Sequence, residues 1–455
     1  MTTAPATISL LLDTQFGESV PGPEVNGGEV CCGNEDGVDD KAESLGSMPN
    51  PAPLDADMPL EHSIELPIEL WEKVIDYLAD EWVDDLWSGE TYEAKLRVLG
   101  RVCQGWYARC RSRGLERLDV WRMDKKKVYC LINALNQDPE RCHAIKMVSF
   151  NFRWKSMSIF GTFAVCMAQK LPQVKHLVLG RYHWELGQPH AQIFDHVTLA
   201  FESITVLDLM DVEFPSAVVF GRLVRALPQL SSLKCWSVTF RKRAYVAGRI
   251  WQLHPLRLDA AEVRRSDDVV DFLVSIGAQL RHFIWRDRGL EKCQELLPVI
   301  AESLSSMRID LAPSFSILSP QGFSPPYFPI DLTSAVNLRV LSISSNLTNL
   351  NRAVNILCRA SLLKLIAITI ISTFTYTETF SSSNIQDTLD KVGKYSYALL
   401  DQAFSSRQYP ALKKVAFELH CRPRRSEVME VISEVSWGSH LSSNLPALYT
   451  SGRLV

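Results

Sequence analysis

Residues 204–240, ITVLDLMDVEFPSAVVFGRLVRALPQLSSLKCWSVTF, carry one apolar spacing twice. Ile204, Leu207 and Leu209 return as Leu230, Leu233 and Cys235, and each set is followed by two more apolar positions, Val212 and Phe214, then Val238 and Phe240. Alternation inside the unit predicts a short strand with one buried face. The intervening stretch Pro215–Leu230 has helical spacing instead and closes on a Pro-containing turn. Strand, helix and strand in that order join two parallel neighbours, because a parallel pair needs a crossover longer than a hairpin.

The same unit extends outward in both directions. It is read at Ile145-Val148-Phe150, Val174-Leu177-Leu179, Leu253-Leu256-Leu258, Leu280-Phe283-Trp285, Leu304-Met307-Ile309, Leu338-Leu341-Ile343, Leu362-Leu365-Ala367 and Leu412-Val415-Phe417. Successive central residues lie 23 to 34 apart until a last gap of 50. Segments such as SDDVVDFLVSIGAQL (266–280) supply further helices. A period near 26 residues predicts an α/β array of stacked units, strands on one face and helices on the other. An ordinary α/β domain with buried parallel strands is the alternative. The residues between the strand apolars point outward, which nominates Asp208, Lys234, Arg257, Ile284, Arg308 and Ser342, with Asp211, Trp236, Asp259, Arg286 and Asp310 nearby.

Composition sets the outer limits. The chain has 455 residues, 46% hydrophobic and 22% charged, enough to bury a large core. Its net charge of −4 is uneven: residues 1–60 hold 11 acidic residues against Lys41 alone, so the remainder is about +6. Rich also in Pro and Gly, residues 1–60 read as a disordered acidic segment. Eleven scattered cysteines do not form a disulfide framework, and a reducing compartment fits them best. The apolar run Ile8–Leu12 is too short for a secretory signal, and Leu362–Ile371 is about half the ~20 residues of a bilayer span. The expected location is cytoplasmic, nuclear or both.

Between the acidic segment and the repeats lies LPIELWEKVIDYL (66–78). Pro67 sits where a helix begins, Glu69 in its first turn, and Leu70, Trp71, Val74, Ile75 and Leu78 follow at three-and-four spacing. A polar insert with Trp82 and Trp87 precedes TYEAKLRVLGRVCQGWYARCRSRG (91–114), where Leu96, Leu99, Val102, Cys103 and Trp106 restore helical periodicity. Periodicity alone leaves open whether this is only a helical cap on the repeats.

The Leu-Pro opening, the Glu-Leu pair at 69–70, the Ile and the Tyr-Leu that close the first helix, the Val-Cys-x-x-Trp of 102–106 and the Val120-Trp121 end together resemble the F-box. The repeats resemble leucine-rich repeats over roughly residues 145–420, although the asparagine common three residues past the strand occurs clearly only as Asn346. The resemblance implies an F-box-like helical domain over 61–122, a curved solenoid over 123–421 with parallel strands on its concave face, and a C-terminal tail over 422–455. It implies docking to a Skp-type adaptor, and through it to a cullin, by Leu66, Pro67, Leu70, Ile75, Leu78, Val102 and Trp106. A protein substrate would lie on the repeats, with Asp208, Lys234, Trp236, Arg257, Arg286 and Arg308 as its contacts. The implied role is a non-catalytic substrate-recognition adaptor of a ubiquitin ligase. A repeat scaffold for protein interaction outside ubiquitination is the alternative.

Catalytic signatures are not found: there is no G-x-S-x-G, G-x-x-x-x-G-K-[ST], G-x-G-x-x-G or H-E-x-x-H. Cys142-His143 and His420-Cys421 are adjacent pairs without zinc-ligand spacing. Mixed outward charges with an aromatic suit a protein surface better than nucleic acid. No cofactor, metal, nucleic acid or membrane is expected as a partner. Lys125–Lys127 and Arg422–Arg425 read as solvated basic runs.

Overall fold

A computed structural model describes residues 67–84, 92–121, 123–151, 158–184, 192–242, 255–287, 289–311, 330–346, 350–375, 394–422 and 434–455. The expected disordered segment 1–60, Leu66, and most of the Pro-rich stretch after residue 311 lie outside these residues. The chain divides into two compact units, residues 1–110 and 111–455.

The first unit is helical: α1 Ile68–Asp84, α2 Tyr92–Gly100 and the start of α3 Gln104–Leu115. Pro67 begins α1 as expected, its carbonyl accepting the amide of Leu70 at 3.0 Å. The single periodic run 91–114 is two helices, broken at Arg101–Cys103 just after Gly100. Ile75, Ala79, Tyr92, Leu96 and Cys110 form a small core, with Leu99 and Trp106 against it. Across it, Arg109 Nε donates to Asp76 Oδ1 at 2.9 Å and ties α3 to α1.

The second unit is an α/β fold built on a parallel sheet with twelve strands among the described residues: β1 Arg117–Trp121, β2 Met147–Asn151, β3 His176–His183, β4 Val206–Ser216, β5 Ser232–Trp236, β6 Thr239–Lys242, β7 Arg257–Arg264, β8 Gln279–Trp285, β9 Ser306–Asp310, β10 Val340–Asn346, β11 Ala367–Thr375 and β12 Lys414–Arg422. Apart from β6, which pairs with the second half of β4, each strand lies beside the next in chain order. The helices are α4 Lys125–Gln137, α5 Pro139–Ala144, α6 Ser158–Cys166, α7 Gln192–Ala200, α8 Ala217–Arg225, α9 Asp267–Ser275, α10 Glu291–Ile300, α11 Leu350–Arg359, α12 Lys394–Ser405, α13 Glu434–Asn444 and α14 Pro446–Thr450. Within the runs α6 to α10 and α11 to α12, each helix touches the next.

Register turns the repeated spacing into one core. Leu118, Val148, Leu177, Leu207, Leu233, Ala261, Phe283, Met307, Leu341, Ile368 and Val415 align across eleven strands, and all are buried. Two units differ from the sequence reading. The one placed at Leu253-Leu256-Leu258 lies five residues further on, at Leu258-Ala261-Val263, because Leu258 pairs with Leu280 and Ala261 with both Leu233 and Phe283. The one placed at Leu362-Leu365-Ala367 is Leu365-Ile368-Ile370, since Leu341 pairs with Ile368. In both, leucines earlier in the sequence satisfied the pattern by residue type. Val120 and Trp121, quoted as the close of the helical module, lie on β1 and pair with Phe150 and Asn151.

The described residues of the expected tail are folded. Leu441 of α13, Leu445 at its junction with α14 and Leu448 of α14 join the main core. The buried carboxylate of Asp401 on α12 accepts the amides of Ala447 and Leu448 at 3.0 and 2.9 Å. Val415 on the outer edge of β12 donates to Arg453 O at 2.8 Å and accepts from Val455 N at 3.0 Å, and Trp437 Nε1 donates to Phe417 O at 3.2 Å.

One backbone feature recurs in step with the units. Arg181, Asp211, Ser237 and Arg265 occupy equivalent positions and have φ of 54, 52, 53 and 50°. This left-handed residue turns the chain within β3 and β4 and just past the ends of β5 and β7, and a side chain there is strained by on the order of 1 kcal/mol. In the following segment, Ser266 Oγ and Asp268 Oδ2 accept the amides of Val238 and Phe240 at 2.9 and 2.6 Å, standing in for a sheet partner. Ser237→Gly is expected to stabilise the protein by about 0.5 kcal/mol, strain relief being partly offset by greater freedom of the unfolded chain. Urea denaturation measures it, and a loss of stability would remove the strain argument.

Candidate functional site

The face of the sheet opposite the helices carries the chemistry. Between the core positions, the strands present Asp208, Lys234, Glu262, Ile284, Arg308 and Ser342, each in register with the next. Two residues further along the strands run Met210, Trp236 and Arg264, the last pair in register like the first. Beside these, Arg286 follows the last residue of β8 and Asp310 closes β9 in register with Ser344. Neighbouring strands are about 4.8 Å apart, so side chains in a row are within reach of each other.

Five of the six nominated substrate contacts, Asp208, Lys234, Trp236, Arg286 and Arg308, thus share one surface. Arg257 does not: it opens β7 opposite Gln279, exposed, ahead of the rows. The five-residue shift in that unit makes Glu262 the residue that stands in line with Lys234 and Ile284. Arg264 was also missed, for the same reason. Starting the unit at Leu258 would have found both.

The rows are laced by contacts. Arg286 Nε lies 2.8 Å from Glu262 Oε1, and the Arg264 guanidinium sits 4.0 Å from the centre of the Trp236 ring. Such a cation–π contact contributes about 0.5–1 kcal/mol where exposed and more when desolvated. Burial, with Arg265 and Arg286 beside it, lowers the pKa of Arg264 below its ordinary value. Towards β1, Arg117 pairs with Asp119 at 2.9 Å.

His176 on β3 shares this end of the face. Its burial, helped by Lys234 and Arg117, pulls its pKa down to about 4. A histidine that titrates at 6.5 when unfolded and near 4 when folded takes up a proton on unfolding between those values. Stability is therefore expected to fall as pH drops from about 6.5 towards 4. His176→Gln should flatten that part of the pH profile in urea denaturation. An identical slope in both proteins would assign the loss to other groups.

The helical unit offers a different surface. Leu70, Val74 and Tyr77 recur at four and three residues along α1, on one face, and are 43%, 40% and 70% exposed. Pro67 is exposed as well, and Val102, in the turn before α3, is 62% exposed. Leu78 and Trp106 are half-buried, with the Trp106 ring 5.0 Å from that of Trp71. Ile75 is the exception among the nominated adaptor contacts: at 1% exposure it belongs to the core of the unit and is unavailable to a partner. Tyr77 and Tyr107 are exposed apolar residues that sequence reading did not nominate.

Among the described residues no group of His, Cys, Asp and Glu is placed to hold a metal ion. No helix of the described residues is long and apolar enough to cross a membrane. No protein-family model matches the chain, and no curated protein matches it.

Proposed function

We propose that this protein is a non-catalytic substrate-recognition adaptor of a Skp-cullin-F-box ubiquitin ligase, working in the cytoplasm or nucleus. In this reading residues of the helical unit are an F-box that docks a Skp-type adaptor, and the sheet is a leucine-rich-repeat-like solenoid whose concave, polar face holds a protein substrate. The observation that carries it is the exposed apolar stripe Leu70, Val74 and Tyr77 on α1, whose opposite side already fills a core. A stripe of that kind on a water-facing helix is the sort of surface a partner helix covers.

Affinity purification of the full chain with degradation blocked tests it. A Skp-type adaptor and a cullin should be retained by the natural sequence and lost from Leu70→Asp/Val74→Asp. Absence of both from the natural sequence, or their retention by the variant, defeats the proposal.

A further inference from the structure

Charge on the polar face of the sheet is unevenly neutralised. Arg286 has Glu262 at 2.8 Å, but among the described residues neither Arg264 nor Arg308 makes an ion pair. The Nε atoms of both are buried without a hydrogen-bond acceptor. Arg264 also lies beside Arg286, and like charges facing each other on adjacent strands destabilise a sheet. Glu262 and Asp310 act on Arg264 only from beyond ion-pair distance, so two half-buried guanidiniums without an ion-pair partner are costly to hold, and a bound anion would relieve them.

We propose that this face recognises an acidic, extended segment of a protein, with Arg264 and Arg308 each receiving a carboxylate and Trp236 backing the first of them. The proposal rests on the reading that this face holds a protein substrate, and supplies its class. β7 and β9 are two strand spacings apart and the two arginines are offset by two residues along the strands, so their Cα atoms are separated by about 12 Å. An extended chain advances about 3.3 Å per residue, so carboxylates three or four residues apart span that distance. Nucleic acid fits less well, because Glu262 and Asp310 on the same surface repel a continuous phosphate backbone. Discrete carboxylates can be set between them, and the planar guanidinium fork binds them bidentately.

Fluorescence anisotropy with the full chain tests the proposal, using labelled (Glu-Ser-Gly)5, the matched (Gln-Ser-Gly)5, and a single-stranded oligonucleotide of 15 residues. The glutamate peptide should bind about tenfold more tightly than the glutamine peptide at low salt, and more weakly as salt rises. Arg264→Gln/Arg308→Gln should abolish the preference, while Arg308→Lys, which keeps the charge and loses the fork, should keep part of it. Arg359→Gln, on the exposed side of α11, is the control and should change nothing. Equal binding of the two peptides, or a preference that survives the double substitution, overturns the proposal. So does tighter binding of the oligonucleotide through the same arginines. If both peptides bind equally and Trp236→Ala removes them, the face is a protein site without acidic preference. The adaptor reading fails separately, by loss of adaptor retention in the same preparation.

Discussion

Phe220→Ala is expected to remove about 3–5 kcal/mol of stability, the full cost of emptying a large aromatic site in a packed core. Phe220 on α8 is fully buried, and its ring lies 5.3 Å from Phe214, 5.4 Å from Phe240 and 5.0 Å from Phe272. Those rings come from β4, β6 and α9, so one side chain joins two strands and two helices. Edge-to-face pairs add about 0.5–1.5 kcal/mol each beyond burial, which places the loss near the upper end. Phe220→Leu, which refills most of the space, should cost about 1–1.5 kcal/mol. Urea denaturation followed by tryptophan fluorescence measures both. A loss under about 1 kcal/mol for the alanine variant would mean that the units do not share a core at this point.

The second large effect separates binding from folding in the helical unit. Leu70→Asp/Val74→Asp should weaken adaptor retention at least about a hundredfold, because a docked partner would enclose two carboxylates with nothing to pair them. Stability should move by no more than about 0.5 kcal/mol, since both sites face water. Ile75→Ala should do the reverse, costing about 2–4 kcal/mol by opening a cavity between Ala79, Leu96 and Cys110. At a temperature where that variant remains folded, it should still retain the adaptor. Loss of retention by Ile75→Ala alone would return Ile75 to the interface and undo the division drawn from burial.

Much of the sheet could be read from spacing, because a strand that buries one face repeats its apolar residues at fixed intervals. The reading failed where residue type and position part company. Ala261 is the core residue of its unit although three leucines stand just before it, and only pairing with Leu233 and Phe283 reveals this. That slip put Arg257 and Asp259 where Glu262 and Arg264 belong. In α1 the difficulty is different: Ile68, Leu70, Trp71, Val74, Ile75, Tyr77 and Leu78 spread round most of the helix, so periodicity cannot say which of them the neighbouring helices cover. Which face is left outside is decided by α2 and α3, hence by tertiary packing. Val120 and Trp121 fit both the end of the helical motif and the start of a strand, and their pairing with β2 places them in the sheet.

The backbone pairing of Val415 with residues 453 and 455, together with the indole of Trp437 on Phe417, bears on self-association. A parallel sheet laid down in chain order leaves an outermost strand whose amides and carbonyls can template a strand from another molecule. Here three of those groups are already occupied, by the backbone of residues 453 and 455 and by Trp437 of α13. Those three groups are thereby withdrawn from any strand of a second molecule that would pair with β12 at residues 415 to 417.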